Sequence, residues 1–517
     1  MNILGLGGLH NEPACAVLVE GALASAVEQK KVVRRIQRGA LPEEAIAAAL
    51  RLARIGPADV DCVALVRPFA QELHLALRSH FSKAQVIMVE HHAAHAASAF
   101  YPSPFDEATV LTLDRDGDFR SAAKWHAGRD QLRLERDLYY PDSLGDLYGR
   151  VTELLGFEAQ ADEHKVQWLS TQAESDAYVP LFEQILGNGD WPAIDRSFFD
   201  SDRLVEGGFS EKFYTHLGLE DGAEIPPAMK APIAAGLQRA IERRVLRMAG
   251  VADKLCIAGG LGLNTLLIGA LEQHKQVFVQ PAAGNAGTAI GAVFYAWNTV
   301  FRQDDRPSLN DLCLGPSFDA EEIKQVLENC KLRFRYLLTM DELIECAVRD
   351  INGEKIIAWM QGRMEFGSRA LGNRSILASP LNAYSTENLN AFIKHREPFR
   401  KFAASVPAEI ADEYFIAGPN ARYLATVSRV LPKHRETFEA AVMGKDLIRV
   451  HTVQEEDNPL YHRLLHAAGR ATGLPVLYNT SFNLFGDPLV CSPRDAVRSF
   501  YSSGIDALFV GNFLVEK

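Results

Sequence analysis

No C-x-x-C pair occurs among the seven cysteines of this 517-residue chain. Cys15, Cys62, Cys256, Cys313, Cys330, Cys346 and Cys491 are scattered, which excludes a disulfide frame and predicts reduced, mostly buried thiols. No run reaches the roughly 18 apolar residues of a membrane span, so no membrane partner is expected. Positive charge is in deficit: 54 Lys and Arg stand against 66 Asp and Glu, a formal net charge of −12. That balance argues against a nucleic-acid partner, which needs a basic face, and leaves room for a local basic pocket. The apolar start, Met1 to Gly8, lacks a basic leader region and is interrupted by His10, Asn11 and Glu12. It reads as a first strand rather than a signal peptide, and the expected location is cytoplasmic. Internal repeats and low-complexity tracts are also lacking.

What is present is an ordinary globular composition, 47% hydrophobic and 23% charged, in a chain too long for one core. Two or more domains are expected. Strands over Asn2 to Gly7, Ala14 to Val19 and Ala22 to Val27 meet at polar, Gly-containing turns and resemble the opening of the actin-like ATPase fold. Val86-Ile87-Met88 then leads into Glu90-His91-His92-Ala93-Ala94-His95-Ala96-Ala97-Ser98, an Ala-rich stretch without Gly or Pro that reads as a helix. On it His91 and His95 are four apart and share a face, as a two-imidazole metal grip requires. Asp114, at the end of the apolar strand Val110 to Leu113, supplies a carboxylate to complete a cation site. A surface helix carrying three histidines is the plainer alternative.

Two strand, Gly-rich turn, helix units follow: Leu255 to Ala258 into Gly259-Gly260-Leu261-Gly262-Leu263-Asn264, and Gln276 to Val279 into Pro281 to Gly287. Such turns bring backbone N–H groups and a helix N-terminus against phosphate, which makes Gly259, Gly260 and Asn264 nucleotide-binding candidates. Between them and the His helix, residues 172–224 read as an acidic, aromatic, irregular insertion. Arg302 to Asn310, polar and Pro-containing, is the linker candidate. Beyond it the chemistry turns basic. Arg363, Arg369 and Arg374 lie in a Gly- and Ser-containing stretch, and Lys394, His395, Arg396 and Arg400 lie close together. In an acidic chain this predicts an anion pocket, with arginine for bidentate phosphate contacts.

H-H-A-A-H-A-A-S-A-F, A-G-G-L-G-L-N, G-R-M-E-F-G-S-R-A-L-G-N-R-S-I-L and N-T-S-F-N, in that order, resemble the antibiotic and nodulation-factor O-carbamoyltransferases. The resemblance covers nearly the whole chain. It implies an α/β protein with an α+β second domain: an actin-like ATPase-type domain over 1–310, similar to threonylcarbamoyl transferases, a connector over 311–340, and a YrdC-like domain over 341–517. The second domain would make carbamoyl adenylate from ATP, with Mg²⁺, and carbamoyl phosphate. The first would pass the carbamoyl group to a hydroxyl of a small metabolite or sugar. By motif match, Arg369, Lys394, Arg400, Arg449, Asn479 and Ser481 hold the adenylate, with Lys394 and Arg400 acting in catalysis. His91, His95 and Asp114 hold a metal, Fe(II) in the family. Every adenylate residue lies beyond Ser317, so adenylation is expected to reside in that part alone.

Four positions depart from the family pattern. Asn285 stands where a further metal carboxylate is expected. Asn11-Glu12 aligns with the catalytic His-Asp pair, leaving His10 displaced by one position as the candidate base. Gln29-Lys30-Lys31 replaces E-E-R, and His164-Lys165-Val166-Gln167-Trp168-Leu169-Ser170 carries bulk where the family has small residues. Two alternatives follow: a divergent partner subunit that binds carbamoyl adenylate or an active relative without transferring, and threonylcarbamoyl-type tRNA modification, which the acidic balance disfavours. A homodimer is the default assembly.

Overall fold

A computed structural model describes residues 1–35, 38–69, 71–128, 131–200, 208–484 and 486–517. Ten strands build the first half: β1 (Asn2–Gly7), β2 (Ala14–Val19), β3 (Ala22–Glu28), β4 (Cys62–Val66), β5 (Gln85–Val89), β6 (Ala108–Leu113), β7 (Arg120–Gly128), β8 (Gln131–Tyr139), β9 (Lys254–Ala258) and β10 (Gln276–Val279). They form two five-stranded sheets, ordered β3-β2-β1-β4-β5 and β10-β9-β6-β7-β8. In each sheet the first three strands run antiparallel and the last two join the first in parallel. The same topology is therefore built twice, which is the duplicated plan of the actin-like fold. No internal repeat is legible in the sequence, yet the topology repeats, because strand order depends on apolar pattern rather than on particular residues.

The Ala-rich helix, His91–Phe100, lies against helix Thr288–Phe294, and every residue of both is buried. Its composition serves close approach. A Cβ on Gly291 would lie 1.8 Å from the Ala94 carbonyl oxygen, and one on Gly5 would lie 2.3 Å from that of Ala289. No surface helix of histidines exists here: His91 is 6% exposed, His92 and His95 0%.

The region read as an irregular insertion is more ordered than expected. It contains helices Val179–Leu186 and Glu211–Leu217, and Phe182, Phe198, Phe209 and Phe213 fill the adjoining core. Residues 201–207 of it lie outside the described residues. No helix or strand occurs over 301–319, the stretch holding the linker candidate. It is still anchored, since Arg306 donates to the carbonyls of Phe100, Tyr101, Ser103 and Phe105.

The second half is one mixed sheet of ten strands: β11 (Arg335–Tyr336), β12 (Ile357–Met360), β13 (Arg374–Ala378), β14 (Ala403–Pro407), β15 (Phe415–Ile416), β16 (Ser428–Val430), β17 (Leu447–Val453), β18 (Leu477–Ser481), β19 (Ala507–Val510) and β20 (Phe513–Glu516). Helices Met340–Asn352 and Pro459–Thr472 share one apolar cluster with the sheet, and helix Pro493–Tyr501 lies in another. The α/β class with an α+β second domain is thus the architecture observed. The halves interlock: Phe366, Leu371, Ala403, Tyr423, Leu424 and Ala425 belong to the core cluster of the first half. Buried Lys31 donates across the junction to the carbonyls of Glu365 and Gly367, at 3.0 and 2.5 Å, while pairing with Glu28.

Candidate active site

Helix His91–Phe100 starts where Glu90 caps it, accepting from the Ala93 N–H at 2.8 Å, which fixes the first histidine just inside the helix. His91 Nε2 lies 2.7 Å from Asp114 Oδ2, and His95 Nε2 lies 3.2 Å from the same oxygen. Two ligands about 2.1 Å from a tetrahedral centre are about 3.4 Å apart, so the two imidazole–carboxylate separations are within a few tenths of an ångström of metal-ligand spacing. Two imidazoles and a carboxylate form a donor set suited to Fe(II) or zinc. Room for the cluster comes from glycines. A Cβ on Gly117 would overlap the His91 ring, one on Gly260 would lie 3.2 Å from Asp114 Oδ1, and one on Gly259, at φ +94°, would overlap the Leu113 carbonyl.

Burial pulls the His91 pKa down, but hydrogen bonding to Asp114 and that group's charge outweigh it, so the net shift is upward. For His95 burial wins and the shift is downward; its Nδ1 is buried without a partner. Asp114 is held well below the usual carboxylate range, because the two imidazole hydrogen bonds overcome burial. His92 is structural, contacting Thr112 Oγ1 and the Arg120 carbonyl, each at 2.8 Å.

The loop carrying Asn285 packs over the turn after β1. A Cβ on Gly8 would lie 3.1 Å from the Asn285 carbonyl, and one on Gly284 would lie 3.3 Å from Glu12 Oε2. Asn285 Oδ1 is buried and has no hydrogen-bond partner. His10 in the same turn is exposed, whereas Glu12 faces the loop and pairs with Lys30 at 2.6 Å. Asn264 caps helix Thr265–Glu272 and bonds Gln238, and Gly259 N–H donates to Ala283, tying the two glycine loops together.

The second cluster lies beyond the linker. Lys394 Nζ is buried, 2.9 and 3.0 Å from the carbonyls of Ser481 and Asn483 and 2.7 Å from Asn483 Oδ1. Ser481 Oγ donates to Asn483 Oδ1, and Asn479 Nδ2 to the Ala370 carbonyl and Ser405 Oγ. Burial and the charges of Arg396 and Arg400 push the Lys394 pKa well below its ordinary value. Burial and the charges of Arg369, Arg396 and Arg400 do the same to Arg449. Glu397 is the acid among them, pairing with Arg400 at 3.5 Å and Lys165 at 3.1 Å. Arg396 Nη2, Arg449 Nε and Asn479 Oδ1 are buried without partners. Buried cations that repel one another, with donors left over, are an arrangement an anion relieves.

One expectation needs correction. Arg363, Arg369 and Arg374 do not act as a trio. Arg374 Nη1 and Nη2 bond the carbonyls of Gln361, Gly362, Asn373 and Pro316, and Arg363 bonds those of Ala24, Leu314 and Gly315. These two hold the backbone of the loop, whose N–H groups at Leu371, Asn373 and Arg374 converge on Glu365 Oε1. Arg369 alone of the three joins the cationic cluster.

The two clusters meet at one turn. Arg369 Nη2 donates to the Leu263 carbonyl at 3.1 Å, at the end of the four-residue turn Gly260–Leu263 whose start flanks Asp114. Three peptide steps separate those ends by at most about 11 Å between Cα atoms. Helix Glu163–Leu169 closes the side: Trp168 stacks on Arg449 at 5.2 Å, and burial with the charge of Arg400 lowers the His164 pKa to about 4. Sequence reasoning noted bulk at Trp168 but gave it no role. It also passed over Glu12 as the residue facing the loop. No local pattern marks a residue whose partner lies hundreds of positions away.

The family model for the carbamoyltransferase N-terminus matches residues 65–294, and that for the carbamoyltransferase C-terminus matches 348–517. These ranges contain the His91, His95 and Asp114 cluster, both glycine loops and the cationic cluster, and leave out the turn after β1. An uncharacterized protein of Synechocystis is 31% identical, with 100% of this chain and 97% of that one covered. Nodulation protein NolNO of Sinorhizobium fredii is 30% identical over 100% of this chain and 80% of its own length. The 3'-hydroxymethylcephem-O-carbamoyltransferase of Amycolatopsis lactamdurans is 32% identical over 51% of this chain and 49% of its own.

Proposed function

The chain belongs to the carbamoyltransferase family and is a transferase, and from that premise we propose that it is an ATP-dependent O-carbamoyltransferase working in two half-reactions. In the first, at the basic pocket, water cleaves carbamoyl phosphate to carbamate and phosphate, and the carbamate oxygen then attacks the α-phosphorus of ATP, with Mg²⁺, giving carbamoyl adenylate and displacing pyrophosphate. In the second, a hydroxyl of a small metabolite or sugar takes the carbamoyl group near His91, His95 and Asp114, and AMP leaves. The observation carrying this reading is the turn Gly260–Leu263, flanked at one end by Asp114 and at the other by Arg369 of the cationic cluster. An activated carbamoyl group made beside the second cluster reaches the first without entering bulk water.

Within this reading Arg369, Arg400 and Arg449 neutralise the phosphates, and Lys394, held by Ser481 and Asn483, adds a positioned charge where negative charge builds up. Trp168 keeps the Arg449 guanidinium in place. His91, His95 and Asp114 are the residues that would hold a divalent ion, Fe(II) being the reading for its identity. When bound, such an ion supplies Lewis-acid polarisation of a carbonyl.

Carbamoyl-phosphate-dependent exchange of label between pyrophosphate and ATP tests the first half-reaction. Exchange that needs both substrates is the expected result; a folded protein with Mg²⁺ and no exchange overturns the adenylation step. A second reading, a subunit that binds carbamoyl adenylate without transferring it, is favoured by the exposed position of His10, which leaves no imidazole at the expected base position. Exchange without acceptor-dependent AMP release would decide for it.

A further inference from the structure

Away from both clusters, helix Pro459–Thr472 buries Tyr461, Leu464, Leu465 and Ala468 in the core of the second domain. His462 and His466, four residues apart, flank that stripe on one edge of the helix. Facing them is Glu409, in the turn Ala408–Glu413 that leaves β14. His462 Nε2 lies 3.0 and 3.1 Å from the two Glu409 oxygens, and His466 Nε2 lies 2.7 Å from Oε1. The rings meet edge to face with centroids 4.6 Å apart, so their nitrogen-bearing edges converge on one carboxylate. One ligand atom from each residue lies within 4.8 Å of the other two.

We propose that Glu409, His462 and His466 form a second metal site, for a zinc-class divalent ion, separate from His91, His95 and Asp114. The imidazole–Glu409 separations of 2.7 to 3.1 Å are a few tenths of an ångström shorter than the about 3.4 Å between neighbouring ligands of a tetrahedral zinc, so the three side chains need only spread slightly to take an ion. Paired imidazoles favour zinc, copper or nickel over magnesium or calcium. Glu409 is 51% and His466 35% exposed, which leaves the fourth position to water. The ion fastens the exit of β14 to the helix. β14 carries Ser405, the acceptor of Asn479 Nδ2 in the basic pocket, so the site steadies that pocket from behind.

Two imidazole N–H groups bonding one carboxylate would give similar distances without any metal, and the experiment separates the two. Chelator-treated protein is titrated with zinc chloride, reading bound zinc per chain, for wild type, His466→Ala and Glu409→Gln. His466 is partly exposed, so its variant should fold; Glu409→Gln keeps shape and a neutral acceptor oxygen but loses the charged ligand. The expected result is that each variant loses one zinc equivalent or binds it at least about tenfold more weakly. Equal zinc content and affinity in wild type and either folded variant would overturn the site. Occupancy at His91, His95 and Asp114 is common to all three proteins and cancels in the comparison.

Discussion

Asp114 Oδ2 takes both His91 and His95 at 2.7 and 3.2 Å, while Lys394 is held by oxygens of Ser481 and Asn483. Among the described residues no hydrogen bond or ion pair links these two groups of side chains, so their substitutions should separate the half-reactions. His95→Ala removes one of three ligand-type groups, and a loss of about 100-fold or more in carbamoyl transfer is expected while pyrophosphate exchange persists. Lys394→Ala should suppress exchange itself. Assaying AMP release and exchange on the same preparations checks both; loss of exchange in a cooperatively melting His95→Ala protein would refute the division. At Asn285, the buried, unpartnered Oδ1 invites Asn285→Asp. A charged oxygen there should tighten metal retention, read as metal per chain after dialysis; an unchanged content would mean the side chain does not face the ion.

Helix Glu163–Leu169 belongs to the first half of the chain yet covers the basic pocket of the second, through Trp168 on Arg449 and Lys165 on Glu397. Trp168→Ala removes a stack of about 0.5–2 kcal/mol, which predicts a KM for ATP in the exchange assay raised about 2- to 30-fold. A KM unchanged by that substitution would make Trp168 mere packing. Helix His91–Phe100 carries a different constraint. Its backbone approaches Gly291 so closely that Gly291→Val must separate two buried helices. A loss of about 1–3 kcal/mol or more is expected, measured as a lower denaturation midpoint with a similar slope.

Across the whole molecule, the pocket draws on both halves. Adenylation by the part beyond Ser317 alone was the sequence expectation, but the Arg369 contact to Leu263, the Trp168 stack and the buried Lys31 all reach in from the first half. The isolated second half would lose all three. Charge gives a further prediction. Burial and Arg396 and Arg400 depress the Lys394 pKa, and a bound polyphosphate raises it again. Binding therefore takes up protons, and nucleotide affinity should fall as pH rises from the depressed value of the free protein toward that of the complex. Calorimetry of ATP binding in buffers of different ionisation enthalpy reads the uptake directly; zero uptake would show Lys394 to be charged already. Saturating pyrophosphate at about 100 times its Kd should also stabilise the fold by about 2.7 kcal/mol.

The sequence by itself determined the elements and their chemistry. Short apolar runs marked β1, β2, β3, β5, β6, β9 and β10. The i, i+4 spacing put His91 and His95 on one face, and the motif order fixed the family. Those signals are local, and local backbone geometry carries them. Only the tertiary structure decided which cations face one another. Composition and spacing alone put Arg363 and Arg374 in the anion pocket beside Arg369, yet they end on backbone carbonyls because the loop folds back around Glu365. It likewise turned a helix readable as a surface element into a fully buried one, and left Glu12 rather than His10 facing the glycine loop. The partners that decide these outcomes lie 9 to more than 300 residues away, and burial against them outweighs the small preferences a local pattern expresses.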